Sequence, residues 1–109
     1  MIPDAIIPPT GRPAYLKPDN SYDLLFPVVY HEGEEKKLLE RLKLRRLTGH
    51  EKILAEGSGT PTERTVEILA SITNEMALVL RKIDWVDLDR LEECVGFFTD
   101  AGQTTGAIF

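Results

Sequence analysis

At 109 residues the chain has room for one small domain with a modest core and none for a second. Hydrophobic residues at 42% and charged residues at 28% are the composition of a soluble globular protein, and the single Cys94 excludes an internal disulfide and suits a reducing compartment. A net charge of -5 speaks against nucleic-acid binding by the whole surface, and no apolar run approaches the roughly 20 residues that span a bilayer.

The N-terminus lacks both the basic leader and the continuous apolar stretch of a secretion signal, so a cytosolic protein is expected. Five of the seven prolines (Pro3, Pro8, Pro9, Pro13 and Pro18) fall within the first eighteen residues, where neither helix nor ladder can run. Residues 1–20 are therefore expected to be a proline-rich extended arm. Its Ile2, Ile6, Ile7, Tyr15 and Leu16 leave two readings open, a disordered or loosely docked segment and an arm that captures a partner.

From Tyr22 to Thr48 the sequence has the pattern of a hairpin that leads into a helix. Leu42 and Leu44 alternate with Arg41, Lys43 and Arg45, the period of a strand buried on one face. The first arm, Leu24 to Tyr30, contains Pro27, which removes a ladder donor and marks a sheet edge. Between the arms Gly33 supplies the positive φ that a turn requires. A two-stranded ribbon is marginal alone, so this one must pack on helices or extend through another chain, and its edge makes a homo-oligomer an expectation.

Everything beyond the hairpin is helical in pattern. Thr48-Gly49-His50-Glu51 has capping-box spacing and opens a short helix to about Glu56. Gly57-Ser58-Gly59 ends it, and Thr60-Pro61-Thr62-Glu63 opens the next with a second capping box and proline at the first helical position. Val66, Leu69, Ala70 and Thr73 recur at helical spacing, with Ile68 and Ile72 beside them. Thr73 to Met76 predicts a stop and restart into a short helix carrying Leu78, Val79 and Leu80. Asp84 caps the last helix, along which Trp85, Leu88, Leu91, Val95 and Phe98 run to about Thr99, and Asp100 to Gly102 closes it. Residues 101–109 lack periodicity and are expected to fray.

The expected fold is α+β, an N-terminal two-stranded β-hairpin followed by a small bundle of about four helices spanning residues 21–100. Leu42, Leu44, Val66, Leu69, Leu88, Leu91 and Val95 are its predicted core.

The order of these parts resembles the tail assembly chaperone family of contractile-tailed phages. The resemblance rests on Phe26-Pro27-Val28 in the first arm, the turn at Gly33, and the second arm LERLKLRRLTG leading into a helix. It continues in Ile83-Asp84-Trp85-Val86-Asp87-Leu88 ahead of Val95-Gly96-Phe97-Phe98, and it covers about Tyr22 to Phe98. It implies a non-enzymatic role in virion assembly, in the host cytoplasm. Such a chaperone holds the long, coiled-coil-prone tape measure protein soluble until tail tube protein polymerises around it, and is absent from the finished particle. The resemblance further implies a longer product made by translational frameshift, with residues 103–109 ending the short form. The rival readings are a structural or adaptor protein retained in the tail and, more distantly, a small nucleic-acid-binding regulatory module.

A holdase for an exposed helix needs an apolar face that its own fold leaves uncovered. The candidates are Leu78, Leu80, Trp85, Phe97 and Phe98, against the plainer reading that each is core. Adjacent Phe97 and Phe98 lie about 100° apart on a helix, so at least one is expected to be only partly buried or used in an interface. Arg41, Lys43 and Arg45 form an outward basic row within a stretch holding six of the thirteen basic residues. A solvated, aggregation-resistant edge explains it first and an acidic partner helix second. Nucleic acid comes last, because no aromatic residues interleave with the row.

Catalytic and cofactor constellations are missing. His31 and His50 have no neighbour at zinc-ligand spacing, and Asp84, Asp87 and Asp89 lack the glycine and glutamate offsets of a calcium loop. As cap and first-turn acids, Asp84 and Asp87 suit a helix dipole. Cys94, among Leu91, Val95 and Phe98, is expected to be packed rather than nucleophilic, and Gly49, Gly57 and Gly59 do not make a phosphate loop. Neither a cofactor nor an enzymatic activity is expected.

Overall fold

Two strands and four helices follow one another without crossovers in the computed structural model, which describes residues 12–99. They are β1 (Ser21–Glu32), β2 (Glu35–Lys43), α1 (Gly49–Ala55), α2 (Pro61–Thr73), α3 (Ala77–Leu80) and α4 (Trp85–Thr99). This is the expected α+β hairpin and helix bundle. Among the described residues no helix is long and apolar enough to cross a membrane.

The hairpin closes at Glu32 opposite Glu35 around the two-residue loop Gly33-Glu34, with Gly33 at φ +65°. Positive φ at the first central residue is the mark of a turn whose twist matches the flanking strands. Tyr22 opposite Leu42 and Val28 opposite Leu39 face the core, and the predicted alternation holds, with Leu42 and Leu44 buried while Arg41, Lys43 and Arg45 are exposed. Between the pairs Asp23–Arg41 and Val28–Leu39 the register slips. Leu24, Leu25, Phe26 and Pro27 lie there on β1 against Glu40 alone on β2, so the proline sits in a bulge, where no ladder donor is lost.

Both capping boxes are formed. The Thr48 and Thr60 amides donate to Glu51 (2.6 Å) and Glu63 (2.8 Å), and the threonine hydroxyls accept amides of the first turn in return. Asn74, at φ +63°, ends α2, and its amide donates to the Ala70 carbonyl at 3.0 Å. Asp84 caps α4, accepting the Val86 amide at 2.9 Å.

A core of Leu69, Leu80, Leu91 and Cys94, all without exposed surface, joins the helices to Tyr22, Leu42 and Leu44 of the hairpin. Of the predicted core only Leu88 is half-buried, packed at its margin. Burial pushes the Cys94 thiol up to about 12, with Glu93 adding to the effect, which keeps it protonated as a packed apolar group.

The expected arm is corrected over residues 12–20. These form turns, not an extended arm, because Leu16 enters the core, the Tyr15 ring meets Tyr22 edge-on at 5.8 Å, and its hydroxyl donates to Glu93. Arg12 lies over the Phe97 ring at 5.3 Å and Arg90 over Tyr15 at 4.8 Å. The rest of the arm, the helix closure at Asp100 to Gly102 and the tail at 101–109 lie outside the described residues.

Candidate partner-binding surface

The turn between α3 and α4 fixes which apolar side chains meet solvent. In the single turn of α3, Val79 and Leu80 point inward, which leaves Leu78 outward and 74% exposed. Asp84 then starts α4 at Trp85, whose first-turn position has no preceding helical turn to lie against, and the indole is 84% exposed. Positions 85, 88, 89 and 92 share one helix face. Trp85, Leu88, Asp89 and Glu92 on that face, with Ile83 and Thr62, line an open groove of about 360 Å³. Its floor is apolar and its acids stand on the α4 side. Met76 and Val86 extend the set of exposed apolar residues at this end of the chain.

The opposite face of α4 is wholly committed. Leu91, Cys94, Val95 and Phe98 pack into the core, and Asp87 is completely buried on the hairpin. Its carboxylate accepts the Leu25 amide at 2.9 Å, the Phe26 amide at 3.0 Å and the Tyr22 hydroxyl. Burial, and then the Asp87 carboxylate, push the Tyr22 phenol well above its ordinary range. Asp87 is thus more than a first-turn acid, since it satisfies the amides that the β1 bulge withdraws from the ladder.

Three of the five apolar candidates are therefore not surface residues. Leu80, Phe97 and Phe98 are buried. The two phenylalanines do diverge, meeting edge-on at 5.3 Å, but α4 is covered on two sides at its end. Arg12 shields Phe97, while Phe98 faces Leu47 and Ile68 across a second cavity of about 470 Å³ beside α1 and α2. The surface that remains from the predicted set is Leu78 and Trp85.

Two members of the basic row are engaged within the chain. The Arg41 Nε donates to Asp23 at 2.7 Å, where Lys17 also pairs at 2.6 Å, and together they hold that carboxyl below its usual range. Arg45 forks onto Glu51 at 3.2 and 3.1 Å. Glu51 is itself buried and also accepts the Ser71 hydroxyl at 2.6 Å. Arg45, then Ser71 and the Thr48 amide, hold its carboxyl far below the usual range. Lys43 makes no salt bridge among the described residues.

A second apolar surface, on the hairpin, escaped the sequence reading. Leu25, Phe26, Val29 and Leu38 are each about half exposed, and Val29 lies directly opposite Leu38. The signal was present in the doublets Val28-Val29 and Leu38-Leu39, because adjacent apolar residues on a strand present one side chain to each face. Comparison of the chain with protein-family models, with characterised proteins and with solved structures gave no match in any of the three.

Proposed function

We propose that the protein is a non-enzymatic tail assembly chaperone that holds an amphipathic helix of a tape measure protein in the groove between the α3–α4 turn and α2, and promotes assembly of tail tube protein around it. The observation that carries this reading is Trp85, a large apolar side chain held in water at the mouth of an apolar groove. Tryptophan at such a place is the residue type that dominates binding energy once a partner covers it. Asp89 and Glu92 on the rim suit a partner helix with basic residues flanking its apolar stripe. The order of hairpin, capped helices and the Asp84 to Phe98 segment supports the family assignment; the basic row supports it less, because Arg41 and Arg45 are engaged inside the chain.

The test is co-expression with a tape measure protein from a contractile-tailed phage. The wild-type chain should raise that protein's soluble fraction and co-purify with it, and absence of both effects would sink the proposal. Trp85→Ala should weaken capture by about tenfold or more. The exposed indole leaves the stability of the variant within about 0.5 kcal/mol of wild type, as urea unfolding would verify. Mass spectrometry of purified virions separates the rival, a tail component, which requires this chain in the finished particle.

A further inference from the structure

We propose that the cavity between α1 and the end of α4 is a second docking site, whose occupant is an acidic peptide segment of a partner protein carrying one large apolar side chain. The inference is independent of the tape measure reading, because the cavity shares no lining residue with the groove at Trp85.

The cavity follows from how α1 is held. Its one buried residue is Glu51, which is fastened by polar contacts, the fork from Arg45 and the Ser71 hydroxyl of α2. Of the apolar side chains of α1 only Leu54 leans on the core, while Ile53 is 71% exposed and Ala55 is exposed as well. α1 and α4 each pack on α2 and scarcely touch one another. The gap left between them measures about 470 Å³, within the range of about 300–1,000 Å³ in which concave sites take ligands. Ile68 and Phe98, both buried, form its floor, and Leu47 and Ala55 stand at its sides.

The charges at the rim select the occupant. Arg46 and Lys52 line the cavity, and the one acid that lines it with them, Glu51, is already covered by the Arg45 fork. Arg46 makes no salt bridge among the described residues. Lys52 pairs with Glu56 at 3.2 Å, but both side chains are more than two-thirds exposed, and an exposed pair of this kind is weak enough to yield to a partner carboxylate. Arg45, Arg46 and Lys52 together outnumber Glu51 and Glu56, so this corner is locally basic on a chain of net charge -5. An apolar floor under a basic rim fits a large apolar side chain flanked by Asp or Glu: the apolar group fills the cavity and the carboxylates meet Arg46 and Lys52. The Trp85 groove has the reverse polarity, with Asp89 and Glu92 at its rim, which keeps the two sites selective for different segments. Nucleic acid fits less well, because its phosphates would meet few cations and its bases no exposed aromatic ring on which to stack.

A fluorescein-labelled peptide, Glu-Glu-Ala-Phe-Ala-Glu-Glu, titrated with the full chain should give a saturable rise in anisotropy that diminishes as salt is raised. Replacing its Phe by Ala, or each Glu by Lys, should weaken binding by about tenfold or more. Arg46→Glu should weaken it by about the same factor. Ala55→Phe fills the cavity from its side without changing charge and should abolish binding. Both positions are exposed, so circular dichroism of each variant should match wild type. No saturable binding, or binding that neither variant weakens, would overturn the proposal. So would a labelled oligothymidine that binds where the peptide does not. Arg46→Glu should leave capture of a tape measure protein unchanged, and a parallel loss of both activities would overturn the assignment of a separate site. The peptide titration itself needs no tape measure protein, so failure of one reading is distinguishable from failure of the other.

Discussion

Glu51 does three jobs with one carboxylate. It completes the α1 capping box with Thr48, receives both guanidinium nitrogens of Arg45, and accepts the Ser71 hydroxyl from α2. With its folded-state titration held far below the ordinary 4.5 of a free glutamate, the stabilisation it brings is fully present above about pH 4.5 and is lost as the pH falls through the folded-state titration. Glu51→Gln should cost about 2 to 3 kcal/mol at neutral pH, since it uncouples Arg45 and loosens the cap. That difference from wild type should shrink steadily below pH 4.5, when wild type protonates as well; urea titrations across a pH series would measure it. A gap that stays constant down to pH 3 would remove the carboxylate from the explanation. The capping box was legible because its two members are three residues apart. Ser71 was not legible, because nothing local ties it to a residue 20 positions earlier.

At the scale of the element, the hairpin is held by a residue outside it. Its turn and its buried alternation could be read from Gly33 and from Leu42 and Leu44, since both depend on neighbours in sequence. The bulge could not, because the acceptor that makes it tolerable, Asp87, lies 61 to 62 residues away from the Leu25 and Phe26 amides. Asp87→Ala leaves those two amides and the Tyr22 hydroxyl without an acceptor, and should cost about 3 to 5 kcal/mol. Tyr22→Phe removes one donor and leaves the amides satisfied, at about 1 kcal/mol. Hydrogen exchange should show Leu25 and Phe26 among the better protected amides of β1 in wild type, and that protection should vanish in Asp87→Ala. If the two amides exchange as fast as those of the exposed turn, Asp87 does not fasten the bulge.

For the molecule as a whole, the line between arm and domain lies earlier than composition implied. Proline density predicts where regular structure stops, but it says nothing of where a chain docks. Tyr15 and Leu16 return residues 12–20 to the core, and Glu93 and Arg90 of α4 receive Tyr15 on its hydroxyl and its ring face. Burial, followed by Glu93, pushes that phenol up to about 12. The same segment explains why Phe97 is not the docking residue its neighbour relation suggested, since Arg12 covers it. The candidate surface was legible only at Leu78 and Trp85, of which Trp85 follows the cap at Asp84 and Leu78 follows a helix start at Met76 that has no side-chain cap. The hairpin surface was missed because only the alternation around Leu42 and Leu44 was read for a face, and the doublets Val28-Val29 and Leu38-Leu39 were not.

Trp85 is the chain's sole tryptophan, and it stands in water in the folded state. The folded and denatured proteins should therefore emit at nearly the same long wavelength, and intrinsic fluorescence will report unfolding poorly. The same indole becomes a selective optical probe of its own groove. A ligand helix laid across α4 should shift the emission to the blue and shield it from iodide. Emission that stays at long wavelength when the helix binds would place the contact away from Trp85.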